Sequence, residues 1–141
     1  MSIQPYDEDR IKPEDLIIRR VNPNYHIVWD ENRQCNRISS KLISPSSTGS
    51  KGMSVDIEAL IVAADIDPKH FVTTPVYTGS VAFPARVVRD LGLMVGYEPI
   101  PGNPYHGEVW SSPCGKFSRR QKKGLCSSSK WYVKLAGVDL F

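Results

Sequence analysis

Eleven prolines and ten glycines divide these 141 residues so finely that the longest apolar run, ALIVAA at 59–64, covers six positions. A chain punctuated this way forms short strands and short helices, and nothing in it approaches the roughly 20 apolar residues of a membrane-spanning helix. Its length suits one domain with a core that stands without disulfides or metals. Apolar residues make up 40% and charged residues 23%, the balance of an ordinary soluble globular chain. The acidic start, MSIQPYDEDR, lacks the basic-then-apolar order of a signal peptide, so a cytoplasmic protein is expected.

Cys35, Cys114 and Cys126 are odd in number, widely spaced and form no C-x-x-C pair. That pattern fits neither a disulfide framework nor a zinc site, and it fits free thiols in a reducing compartment.

Along the chain, residues 1–13 with the cluster DEDR read as a flexible arm. DLIIRRV (15–21) is a strand stopped by NPN, YHIVWDENRQCNR begins strand-like and turns polar, and ISSKLIS is a candidate second strand before the turn-rich PSSTGSKG. Ser54 is placed to cap a helix reaching about Ala64, with Asp56 and Glu58 in its first turn. FVTTPVYTGSVAF reads as one or two strands, and Pro84 opens a helix, PARVVRDL, that Gly92 stops. LMVGYEPI and GEVW are strands on either side of a proline-glycine loop, and residues 118–135 form a weak helix. The expected fold is α+β, a small mixed sheet with two or three short helices and a basic C-terminal helix; a compact α/β arrangement is the alternative. Residues 14–141 form the single domain, ending in the basic segment 116–134.

Adjacent residues of a strand point to opposite faces, so one of Arg19 and Arg20 turns toward the covered side. There it requires an anion, either an acidic side chain or a bound phosphate or carboxylate. His106 follows a loop stiffened by Pro101 and Pro104, a setting that can present an imidazole for proton transfer. The plainer reading makes Gly102 and Asn103 a turn and leaves His106 a local hydrogen bond. Ser39 and Ser40 are candidates to orient a substrate and Asp56 to act as a base, although no G-x-S-x-G elbow or P-loop surrounds them. His26, His70 and His106 show none of the spacings that set ligands on one face, so no metal and no cofactor is expected.

The order Arg19, Ser40, Glu108, each on or near a predicted strand, resembles that of ADP-ribosyltransferases. The resemblance implies that Arg19 and Ser40 hold a nicotinamide cofactor and Glu108 stabilises the reacting sugar. The Ser-Thr-Ser element of that family is absent, and no aromatic follows Ser40.

Charge is distributed unevenly. Residues 1–108 carry 11 Lys+Arg against 14 Asp+Glu, a balance of −3, whereas residues 109–141 carry 7 against 1, a balance of +6. Lys116, Arg119, Arg120, Lys122, Lys123, Lys130 and Lys134 are interleaved with Phe117, Trp131 and Tyr132. Cations among aromatics are suited to phosphate contacts and base stacking, or to an acidic protein surface. The plainer reading is a solvated helix face whose aromatics dock on the core.

The pieces LIIRRVNP, NRISS, MSVDIEALI and GNPYHGEV, followed by the Lys-rich end, resemble small bacterial proteins with the order LxRRxxP, RxSS, SVD and GNPxHxxV. That resemblance carries no activity over; it implies a bacterial cytoplasmic protein and marks Arg19, Ser40, Asp56 and His106 as the first residues to vary. The expected function is an accessory or binding protein. It engages nucleic acid, or an acidic subunit of a larger bacterial system, through Lys116, Arg119, Arg120, Lys122, Lys123, Lys130 and Trp131, with no role at a membrane. The alternative is an enzyme on a phosphate-bearing substrate, using Arg19, Ser40, His106 and Glu108.

Overall fold

In the computed structural model, which describes residues 4–45, 52–111 and 115–141, the strand rich in β-branched residues becomes the centre of a sheet. The elements run β1 (Leu16–Val21), α1 (Pro23–His26), β2 (Ile27–Asp30), β3 (Cys35–Ile38), β4 (Met53–Ile57), α2 (Glu58–Ala63) and α3 (Pro68–Val72). They continue with β5 (Gly79–Pro84), α4 (Ala85–Asp90), β6 (Met94–Tyr97), β7 (His106–Trp110), α5 (Arg119–Ser128), β8 (Lys130–Val133) and β9 (Val138–Asp139). Six strands form an antiparallel sheet in the order β6-β7-β4-β1-β5-β8, and β2-β3-β9 form a second sheet of three. The fold is α+β. No parallel pair occurs in the large sheet, which removes the α/β alternative, since that requires parallel strands joined by helical crossovers.

Both faces of the large sheet are covered. Ile17, Phe83 and Ile57 join Val88 of α4 and Leu125 of α5 in the main core, while Ile18 and Ala82 pack with Ile61 of α2 and Val72 of α3 in a second cluster. Adjacent Ile17 and Ile18 are each 0% exposed, as expected for a central strand with apolar layers on both sides. Among the described residues no helix is long and apolar enough to cross a membrane. Cys35 and Cys126 are free thiols, and Cys114 lies outside the described residues.

Several elements depart from the sequence expectation. Residues 53–57 are strand, and the helix begins at Glu58 with Ile57 at its cap and no side-chain cap bond. Met53, Val55 and Ile57 alternate into the core while Ser54 and Asp56 face the other way, so a period of two outweighs the capping preference of Ser54. In place of a strand over ISSKLIS, β3 ends at Ile38 and Ser39 caps a single 3-10 turn at Ser40–Leu42. FVTTP opens in α3, not in a strand. The C-terminal segment is not one helix: α5 is closed at its start by a Ser118–Gln121 capping box and ends at Ser128, after which KWYV pairs with β5 as β8.

Residues 6–11 of the expected arm pack against the fold, and residues 1–3 lie outside the described residues. Glu8 N donates to Val95 O, Asp7 Oδ1 accepts from Val95 N, and the Tyr6 hydroxyl accepts from Tyr97 N. These bonds cover the free edge of β6, a site that otherwise invites strand pairing. Ile11, 1% exposed, lies in the main core.

Asn22 caps α1, and its backbone N–H donates to His26 Nδ1 at 2.9 Å, which requires that nitrogen to be unprotonated. Burial and the nearby Arg19 push the His26 pKa down to about 4. The unfolded chain, with an ordinary histidine pKa near 6.5, therefore takes up this proton first. The His26 contribution to stability is complete above about pH 6.5 and is lost as the pH falls toward 4. Urea midpoints at pH 7 and pH 4.5 are expected to fall more for the wild type than for His26→Gln. Equal falls would show that another group governs this pH range.

Candidate functional site

β1 pairs with β5 along its whole length but with β4 only at Ile17↔Ile57 and Ile18↔Asp56. Past Ile18 the Arg19 side chain bridges the gap. Its Nε donates to Leu42 O and its Nη1 to Ser54 O, both at 2.9 Å. Arg20 instead meets a carboxylate side-on, with Nε 2.8 Å from Asp56 Oδ2 and Nη2 3.0 Å from Oδ1. The two arginines thus have different partners. Arg20 has an acidic side chain, whereas Arg19 has carbonyls and no ion pair among the described residues. Residues 1–3, 46–51 and 112–114, which lie outside them, include no Asp or Glu. Burial works against the Arg19 charge, and the fields of Tyr77, Glu108 and Asp56 partly offset it.

Beside Arg19 opens a cleft of about 220 Å³ lined by Arg19, Arg20, Ser54, Val55, Asp56, Tyr77, Ile100, Asn103 and His106. Asp56, 3% exposed, is fixed from two sides, because Asn103 Nδ2 also donates to its Oδ1 at 2.8 Å. Asn103 is set in turn by the proline-glycine loop. Ile100 and Asn103 exchange backbone hydrogen bonds across Pro101-Gly102, where Gly102 has φ +82°, the conformation a type II turn needs at its third position. Asn103 Oδ1 then accepts from Tyr105 N.

His106 ends the same loop at the start of β7 and is 8% exposed. Its Nδ1 lies 2.7 Å from Glu98 O. A carbonyl only accepts, so Nδ1 carries a hydrogen. Nε2 lies 3.8 Å from Glu108 Oε2, an ion pair when the ring is protonated. Donor atoms of Glu98, His106 and Glu108 all fall within 4.8 Å of one another, a grouping that can hold a divalent cation. The expectation of no metal grouping rested on spacing among histidines; the β6–β7 hairpin instead sets one histidine between two glutamates. Gly107, between His106 and Glu108, is required by close approach, since a Cβ there would lie 2.6 Å from Gly96 O.

Of the predicted site residues, the fold brings Arg19, Asp56 and His106 to one cleft, with Glu108 adjacent to His106. Ser40, itself exposed, opens a 3-10 turn whose Leu42 is buried, and it lines neither of the two described clefts that contain Arg19. Sequence reasoning missed Tyr77, Asn103 and Glu98. The paired turn residues in GNP and the strand flanking it signal Asn103 and Glu98, while nothing local signals Tyr77.

In the basic segment, Lys116, Arg119, Arg120, Lys123, Lys130 and Lys134 are exposed and Lys122 is partly so. None of the seven makes an ion pair among the described residues. Phe117 and Trp131 pack against the main core, and Tyr132 packs against the second cluster with its hydroxyl donating to Glu58 Oε2. β8 is an edge strand, and among the described residues no backbone outside the sheet bonds to residues 130–133. Next to it, where α4 and the end of α5 meet β8, lies a cleft of about 460 Å³ with an apolar floor of Leu16, Ala82, Pro84 and Val87. Arg86, Ser128, Lys130, Trp131 and Tyr132 complete its lining. Comparison with protein-family models, with curated proteins and with solved structures finds no match to this chain.

Proposed function

We propose that this protein is a binding module that engages an acidic protein partner through its basic C-terminal segment. The observation that carries this reading is the set of seven cations between Lys116 and Lys134 that have no ion pair among the described residues. Four of them, Arg119, Arg120, Lys122 and Lys123, fall within one turn and a half of α5. A positive field of this density favours an anionic surface and accelerates encounter with one. Two further features favour protein over nucleic acid. The aromatics of the segment are partly buried against the two cores, which limits the ring face they offer to bases. The edge of β8, which bonds to no backbone outside the sheet among the described residues, lies beside an apolar cleft with Arg86 and Lys130 on its wall and accepts an extended acidic strand by main-chain pairing. Self-pairing at that edge is disfavoured, since two copies would bring Lys130 and Lys134 of each together.

The test is titration with a glutamate-rich peptide and with a single-stranded oligonucleotide of matched charge, at 50 and 300 mM salt. The peptide is expected to bind more tightly, to weaken steeply with salt, and to perturb amide signals of residues 130–133. The variant R119E/R120E/K122E/K123E is expected to lose at least tenfold in peptide affinity. Tighter binding of the oligonucleotide, or peptide binding that the variant retains, overturns the reading.

A further inference from the structure

We propose that the cleft between β1, β4 and the 98–106 loop binds the phosphoryl group of a small phosphate ester, with Arg19 as its counter-charge. This goes beyond the partner-binding reading and does not rest on it. Arg20 and Asp56 form a closed pair that adds no net charge to the cleft. Arg19 is different. It is partly buried, it lines the cleft, and it makes no ion pair among the described residues, while the remainder of the chain contains no carboxylate to supply one. A guanidinium taken from water in this way is stabilised when an anion completes its shell.

The donor count selects the kind of anion. A guanidinium has five N–H donors, and the carbonyls of Leu42 and Ser54 take two of them. Three remain on Arg19, and two hydroxyl-bearing residues, Ser54 and Tyr77, line the same cleft. A carboxylate offers two oxygens to these donors, whereas a phosphoryl group offers three and a larger charge. Size limits the carrier. The cleft measures about 220 Å³, below the roughly 300–1,000 Å³ of pockets that take drug-sized ligands, so a short phosphorylated molecule fits and a dinucleotide does not.

Isothermal titration of the full chain with inorganic phosphate at pH 7 tests this, with acetate as the carboxylate probe. Phosphate is expected to bind saturably and acetate at least tenfold more weakly. Arg19→Gln is expected to weaken phosphate at least tenfold. Arg19→Lys, which keeps the charge but not the planar fork, is expected to fall between. Tyr77 is 37% exposed, and Tyr77→Phe is expected to weaken phosphate a few-fold while leaving Tm unchanged. If Arg19→Gln does not fold, Arg19→Lys and Tyr77→Phe decide the question. Absence of saturable phosphate binding, equal affinity for acetate, or phosphate affinity unchanged in the folded Arg19 and Tyr77 variants overturns the proposal. The R119E/R120E/K122E/K123E chain is expected to bind phosphate as the wild type does. A loss there would assign the phosphate to α5 and overturn the cleft site without touching the partner reading.

Discussion

Asp56→Ala is expected to cost about 3 kcal/mol of folding stability, near 10 °C in Tm for a chain of this size. Asp56 is 3% exposed and takes three hydrogen bonds at its two oxygens, two from Arg20 and one from Asn103. Removing the carboxylate leaves all three donors without their acceptor. The Arg20 side chain is 22% exposed and can recover some hydration, which sets the expected cost at the lower end of the roughly 3–5 kcal/mol seen for broken buried pairs. The reverse truncation, Arg20→Met, strands the more deeply buried partner and is expected to cost more. Arg20→Met with Asp56→Leu removes both charges together and is expected to be milder than either single change, because no uncompensated charge remains. Urea unfolding of the four chains measures this. A double variant as damaged as the sum of the singles would show that the pair acts through shape and not through charge.

How much of this was legible in the residues depends on the range over which each signal acts. The α+β class followed from short apolar segments separated by turn residues. The α4 helix followed from Pro84 at its start and Gly92 at its stop, because capping chemistry is local; Gly92 has φ +77°. β4 was hidden because two local signals competed at Ser54, a cap and a period-two strand, and only pairing with β7 and β1 on either side decides between them. For the cleft, strand parity predicted that Arg19 and Arg20 part company. Which of them meets Asp56 depends on where β1 and β4 separate, a register that neither segment encodes alone. Glu98 and His106 are eight residues apart in sequence, and their proximity follows from the turn at Pro101-Gly102 between them. The basic segment was visible as composition, but the division into α5 and an edge strand rests on β8 pairing with β5.

Deletion of residues 1–11 is expected to lower stability by more than about 3 kcal/mol and to make the chain self-associate. Read as composition, this segment is a charged tail whose loss should be silent. In the fold it does two separable things. Ile11 fills a place in the main core at 1% exposure, and emptying such a site costs about 2–5 kcal/mol. Tyr6, Asp7 and Glu8 satisfy the N–H and C=O groups of Val95 and the N–H of Tyr97 along the outer side of β6. The Asp7–Arg89 ion pair adds little, since its side chains are 36% and 25% exposed. Tyr6 also lies over Trp110, with ring centroids 6.0 Å apart, so its loss opens the end of the sheet to water. Ile11→Ala in the intact chain separates the two effects: it is expected to reproduce most of the stability loss while the protein stays monomeric. The deletion alone should associate in a concentration-dependent way, because an unpaired strand edge is a template for another. Thermal unfolding with light scattering reads both quantities, and an unchanged Tm in the deleted chain would sink the assignment of this segment to the core and to the β6 edge.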